Sequence, residues 1–161
     1  MKIELIKENE YNETSKMIER SVKSPAFSSF YPACSLKYVC ESLTPDKLQE
    51  KASWTHFYVA KDETKANRII GCGAIGPYWD HLDESSLFSI FVDPNYQKQG
   101  VGKKIVETLE NDIFFKRAKW IEVPASMAAI PFYKKMGYEF KNNALIYDDG
   151  HFALEKFNEN N

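Results

Sequence analysis

An apolar run of strand length, Leu87-Phe88-Ser89-Ile90-Phe91-Val92, meets Pro94, and a polar loop then leads to Gly100-Val101-Gly102 and a helix-period pattern. The run is continuous rather than alternating, as expected of a central strand buried on both faces. Pro94 cannot extend a hydrogen-bonded ladder and ends it. Beyond the glycines, Val101, Ile105, Leu109 and Ile113 recur every fourth residue, so a helix from about Gly100 to Phe115 would carry one apolar stripe. Strand, turn and amphipathic helix in that order require a sheet with helices packed on it.

The remaining pattern fits such a sheet. Ile3 to Ile6 reads as a first strand, and Asn12 to Val22 as a helix with Met17, Ile18 and Val22 on one face. After Ser24-Pro25, Ser35 to Leu43 reads as a second helix. Thr44 and Pro45 are suited to N-cap and first helical position of a short third one. Thr55 to Lys61 and Arg68 to Ile75 form an expected hairpin across the polar turn Asp62 to Asn67. Trp120 to Val123 is a further strand, and Ala128 to Met136 a helix closed by Gly137. Pro131 limits that helix, since proline belongs in a first turn. Tyr138 to Lys141 and His151 to Phe157 complete the set, with a turn at Asp148-Asp149-Gly150. The expected class is α/β (an α+β mixed sheet) in the order β-α-α-β-β-β-α-β-α-β-β. No repeat or linker divides it, so residues 1–161 read as a single domain.

The turn between strand and helix has a chemistry of its own. The first amides of a helix lack partners within it, and the helix dipole adds partial positive charge at the same end. Gly100 and Gly102 permit close backbone approach, so Gln97 to Gly102 is a candidate cradle for a pyrophosphate. Lys98, Lys103 and Lys104 could add charge or could be solvated helix-surface residues. A Walker A loop fails at Gln97 and Lys104, and a dinucleotide fingerprint fails at Ile105, where its third glycine should stand.

Composition closes other routes. A formal charge of −2 without a long basic run gives no support for nucleic-acid binding. No apolar stretch approaches the roughly 20 residues of a membrane span, and Met1 to Leu5 lacks the apolar core of a secretory signal. Cys34, Cys40 and Cys72 are odd in number and lack C-x-x-C spacing. That points away from disulfides and zinc and toward a reducing cytoplasm, with the three thiols buried or half-buried and without a role. No metal-ligand cluster is expected.

The pattern V-x-P-x-x-Q-x-x-G-x-G from Val92 to Gly102 resembles the acetyl-CoA motif of the GNAT superfamily of N-acetyltransferases. Downstream, Ala125 to Tyr138, containing Phe132-Tyr133-Lys134-Lys135-Met136-Gly137-Tyr138, resembles the second cofactor segment of that superfamily. The resemblance implies a GNAT fold and acetyl-CoA as cosubstrate, with no metal. It implies that the main chain of Ile90, Phe91 and Val92 pairs with the pantetheine arm, and that a donor such as the Val92 amide polarises the thioester carbonyl. Gln97, Lys98, Gln99, Gly100, Val101, Gly102 and Lys103 would hold the pyrophosphate. Tyr133 would sit near the CoA sulfur and protonate the leaving thiolate. Ser126 stands where many members carry asparagine, and it could contact the cofactor or merely cap the last helix.

Family members often use a carboxylate or a water relay to deprotonate the acceptor ammonium. Glu122 is the first choice here, with His81, Asp83 and Glu84 as alternatives, and His56 and His151 read as structural. Phe27, Phe30 and Tyr31, with the loop Gly76-Pro77-Tyr78-Trp79, are the expected aromatic walls of the acceptor pocket. Phe27, Tyr31, Tyr78 and Trp79 are the residues assigned to substrate. The acceptor is then a small-molecule or peptide amine, with no nucleic acid or membrane partner and a homodimer left open. The expected reaction is direct attack in a ternary complex. A catalytically idle acyl-CoA sensor on the same fold is the competing expectation.

Overall fold

The computed structural model describes residues 1–148 and 150–158. Asp149, in the expected turn, and residues 159–161 of the expected domain lie outside the described residues. The backbone clusters into two units interleaved in sequence. One comprises Met1–Ala74 and Ser89–Thr108, and the other Ile75–Phe88 and the chain from Leu109 on. Strands β3 (Arg68–Pro77) and β4 (Glu84–Val92) and helix α5 (Val101–Glu110) pass through both.

In the first unit β1 (Lys2–Leu5) lies antiparallel to β2 (His56–Asp62), from Lys2↔Lys61 to Leu5↔Tyr58, and the order continues to β3 and β4. Helix α1 (Tyr11–Lys23) buries Thr14, Met17, Ile18, Ser21 and Val22, one face at helical spacing. Three shorter helices follow, α2 (Pro25–Ser28), α3 (Ala33–Glu41) and α4 (Pro45–Ala52). Four helices thus stand where three were expected, the addition being α2. Pro25 and Pro45 each restart a helix at its first turn, where a missing N–H costs nothing. Lys61 is buried in β2 and ion-paired with Glu4 and Glu10, a polar feature its strand pattern did not announce.

In the second unit β4 runs parallel to β5 (Trp120–Ala125), and β8 (His151–Phe157) lies antiparallel to β5 from Trp120↔Phe157 to Ala125↔Phe152. Strands β6 (Glu139–Phe140) and β7 (Tyr147–Asp148) both pair with β8. The sheet is therefore mixed, with β4–β5 its parallel pair among the described ladders.

Several boundaries differ from expectation for identifiable reasons. β4 begins at Glu84 because Ser85 and Ser86 are buried strand residues despite their polarity; the Ser85 hydroxyl donates to the Phe114 carbonyl at 2.7 Å. The expected helix from Gly100 to Phe115 is two helices, α5 and α6 (Ile113–Arg117). The Asp112 carboxylate accepts the Phe114 amide at 2.8 Å and starts the second, so the apolar stripe ends at Leu109 and Ile113 is 63% exposed. The helix expected from Ala128 opens as a 3₁₀ turn at Met127–Ala129, and α7 (Ile130–Lys135) places Pro131 in its first turn. Strand β6 stops at Phe140 because Asn142 and Asn143 adopt left-handed conformations, which asparagine tolerates. Cys34 is exposed, Cys40 half-buried and Cys72 buried, so one of the three thiols reaches solvent.

β3 is buried along nearly its whole length, and α5 packs closely against it. A Cβ at Gly71 would lie 2.8 Å from Ile105 Cδ1, 3.2 Å from Val101 Cγ1 and 3.1 Å from the Phe91 carbonyl oxygen. Gly71→Ala should therefore lower stability by about 1–3 kcal/mol. Adding Ile105→Val, which removes the closest atom, should recover part of that loss in a urea melt.

Candidate functional site

The end of β4 is irregular. Its ladder with β5 runs from Glu84↔Trp120 to Ser86↔Glu122 and no further among the described pairs. Ser89 then takes φ +51°, a left-handed kink inside the strand. A half-buried lysine and a buried cysteine brace it. The Lys51 ammonium of α4 donates to the Ser89 hydroxyl at 3.0 Å, and the Cys72 thiol of β3 to its carbonyl at 3.3 Å. Burial lowers the pKa of Lys51 and pushes the Cys72 thiol up to about 12. Residues 88–92 are half-buried, so the expectation of burial on both faces fails beyond Leu87.

The turn that follows is tied down by hydrogen bonds. The Val92 carbonyl accepts from the Ser21 hydroxyl at 3.1 Å and from the Gln97 side chain at 3.4 Å. Asp93 is fully buried and accepts from Arg20, Arg68 and Asn95. Tyr96 donates its hydroxyl to Asp62 at 2.9 Å, and the Gln99 side chain donates to the Asn95 carbonyl at 2.8 Å. Gln97 and Gln99 therefore use their side-chain amides to shape the turn. Lys98 is exposed at φ +60°, and Gly100 takes φ +83°. The first bond of α5 runs from the Lys104 amide to the Gly100 carbonyl at 3.1 Å, which leaves the amides of residues 101–103 ahead of the ladder. Lys103 lies 3.7 Å from Glu107 along the exposed helix surface.

These residues suit a pyrophosphate. Amides at a helix start, a left-handed glycine over which a Cβ would meet nothing within 4 Å, and exposed lysines supply donors, space and positive charge.

Tyr133 sits in the second unit on α7, 5% exposed, with its ring edge-on to Phe132 at 5.1 Å and to Tyr138 at 5.9 Å. Burial raises its pKa, so the phenol keeps its proton throughout the neutral range. Gly137, at φ +86°, ends α7 as its position predicted. Tyr138 donates to Glu110 at 3.1 Å, and Lys156 reaches both Glu110 and the Met136 carbonyl. Ser126 caps the 3₁₀ turn through its carbonyl, which accepts from Ala129 at 2.9 Å, and not through its hydroxyl.

Two other second-unit candidates, Glu122 and Tyr78, form a cluster with Lys141 and Trp120. Glu122 on β5, its side chain 14% exposed, is ion-paired with Lys141. The Lys141 ammonium lies 4.6 Å from the Trp120 ring centre and 5.4 Å from that of Tyr78, and those two rings meet edge to face at 4.9 Å. Burial works against the charge on Lys141, but the Glu122 carboxylate outweighs it and the pKa is raised. Trp79 is 78% exposed at φ +52° and stands apart from this packing. His81 and Asp83 are on the surface, His81 at 4.0 Å from Glu84 and Asp83 at 3.7 Å from Lys119. In the first unit Phe27 stacks on Tyr31 at 5.1 Å and packs against Phe91 at 6.4 Å. A cavity of about 550 Å³, lined by Ile18, Leu36, Cys40 and Leu43 among others, contains none of the residues expected to bind substrate.

No sequence signal singled out Arg20, Arg68 or Lys51 as partners of the turn. Asp93 was visible only as the residue between Val92 and Pro94, and nothing marked it for burial. Because open space surrounds Gly100, Gly100→Ala should cost only the backbone penalty of a left-handed residue, about 1–2 kcal/mol. Gly100→Asn should cost less, and thermal melts of the two variants check the ranking.

Comparison with known proteins agrees with this geometry. Residues 53–140 match the model of the acetyltransferase (GNAT) domain. The [ribosomal protein bS18]-alanine N-acetyltransferase of Escherichia coli K12 is 43% identical over 60 residues, covering 35% of this chain and 40% of that protein. The match thus spans well under half the length of that curated relative. The PaiA N-acetyltransferase of Thermoplasma acidophilum, solved in complex with coenzyme A, superposes with a TM-score of 0.78 at 17% identity, over 98% of this chain and 100% of that one. A GCN5-related N-acetyltransferase from Rhodopseudomonas palustris gives 0.76 at 17%, over 97% and 94%. At such identity the superpositions establish the fold. Among the described residues no helix is long and apolar enough to cross a membrane, and no group of three or more His, Cys, Asp or Glu could hold a metal ion. With more than half its residues matched to the domain model, and its fold shared with solved members, the chain belongs to the GNAT acetyltransferases, enzymes that use acetyl-CoA.

Proposed function

We propose that this chain transfers the acetyl group of acetyl-CoA to a primary amine by direct attack in a ternary complex. The observation that carries this reading is the β4–α5 turn, with helix-start amides ahead of the ladder and a left-handed Gly100. The family match includes residues of both units, which supports one catalytic domain.

Acetyl-CoA supplies the acetyl group as a thioester. In this reading residues 97–103 hold its pyrophosphate, and the main chain of Ile90, Phe91 and Val92 orients the pantetheine arm. The Val92 amide stabilises the oxygen on which charge grows. Tyr133, kept neutral by burial, holds the proton that the departing sulfur takes. Glu122 is the candidate acceptor of the amine's proton, and it must share or give up its contact with Lys141 to take one. The amine lone pair forms the C–N bond as the C–S bond breaks. No acyl-cysteine is needed. Burial raises the pKa of both Cys40 and Cys72 and keeps them as thiols, which supports direct attack.

Phe27, Tyr31 and Tyr78 are aromatic surfaces for an acceptor, and they favour a small amine. The relative named for a ribosomal protein alanine keeps a peptide N-terminus among the candidates. Three free cysteines support a reducing, cytoplasmic setting.

Turnover of acetyl-CoA with a panel of polyamines, aminoglycosides, amino acids and peptides tests the reading. At least one class should release CoA above the hydrolysis background. Saturable acetyl-CoA binding with no turnover on any of them would instead support the idle sensor. Tyr133→Phe should lower kcat about 10²-fold while leaving KM for acetyl-CoA near its original value.

A further inference from the structure

The turn after β4 rests on a charge cluster that the reaction itself does not use. Asp93 Oδ2 accepts from Arg20 Nη2 at 2.9 Å, from Arg20 Nε at 3.2 Å and from Arg68 Nη2 at 3.3 Å. Asp93 Oδ1 accepts from the Asn95 amide at 3.1 Å and from the Asn95 side chain at 3.2 Å. Burial alone would raise the pKa of this carboxyl; the arginines and the Asn95 amide outweigh it and hold the group ionised. Arg20 belongs to α1 and Arg68 opens β3, so one carboxylate ties a helix and a strand to the start of the turn. Ser21, the neighbour of Arg20, binds the Val92 carbonyl. Two consecutive residues of α1 therefore grip two consecutive residues where β4 passes into the turn.

The charges do not cancel. Two guanidiniums meet one carboxylate, and no further carboxylate pairs with either arginine among the described ion pairs. The surplus of one positive charge lies on side chains about two-fifths exposed, at the base of a turn suited to an anion.

We propose that Arg20 and Arg68, acting through Asp93, are positioning residues for the phosphate-binding turn, and that their surplus charge strengthens its hold on the pyrophosphate. This rests on the reading of that turn as the acetyl-CoA cradle. The alternative is a staple that supports only the fold.

The two are separated by titrating the 161-residue chain with CoA and with pantetheine, which lacks the pyrophosphate and nucleotide. Arg20→Met and Arg68→Met should each weaken CoA about tenfold, the scale of one hydrogen bond to a charged group, and leave pantetheine unchanged. The wild-type Kd for CoA should also rise more steeply with added salt than that of either variant. Arg20→Lys keeps the charge but not the two-pronged contact, so it should retain the salt slope and lose part of the affinity. It also serves as the test if a methionine variant fails to fold. An unchanged CoA-to-pantetheine ratio in the variants, with a lowered melting temperature, overturns the proposal and leaves only the staple. A wild-type chain that does not bind CoA at all overturns the cradle itself, and this proposal with it.

Discussion

A carboxylate with no access to water keeps its charge only if donors surround it. Asp93 meets that condition with two arginines and Asn95, and the geometry of the turn after β4 follows from it. Losing Asp93 would leave two guanidiniums facing each other without compensation, so the contact permits little variation in how the turn leaves the strand. Asp93 also donates its own amide to the Ile70 carbonyl at 2.9 Å, so its backbone is fixed as firmly as its side chain. From there the Tyr96–Asp62 and Gln99–Asn95 bonds carry the same constraint to the start of α5.

The strand, the turn and α5 were legible because they rest on strong local signals: an apolar run, a proline, two glycines at fixed separation and an apolar stripe. Gly137 and Pro45 were legible for the same reason, each having a backbone role that few other residues can fill. Elements that depend on partners distant in sequence were not. Ser85 and Ser86 lie buried in β4, but polar residues at a strand start read as loop. Ile113 continued the helical period exactly where the Asp112 cap broke the helix, because apolar spacing alone does not reveal an interruption.

The candidate site divides along the same line. Its motif residues could be named in advance because the features that single them out are main-chain geometry and conformation. Residues that act through side-chain partners could not. Glu122 was visible as a carboxylate in a strand, but its ion pair with Lys141 and the rings of Trp120 and Tyr78 arises from pairing of β5 with β8 and of β8 with β6. Arg20 and Lys51 are ordinary polar positions on amphipathic helices until β4 is placed beside them.

The interleaving of the two units has a consequence for what counts as the smallest autonomous piece of this chain. The polypeptide crosses between them near residues 74, 88 and 108, so no single cut yields either unit intact. The stretch that sequence comparison recognises, 53–140, omits Arg20 and the whole of β8, and with them a ligand of the buried aspartate and the strand that pairs with β5. Homology therefore delimits a segment narrower than the one physics needs to close, and a truncation designed on the recognised region would remove parts of the structure that hold it in shape.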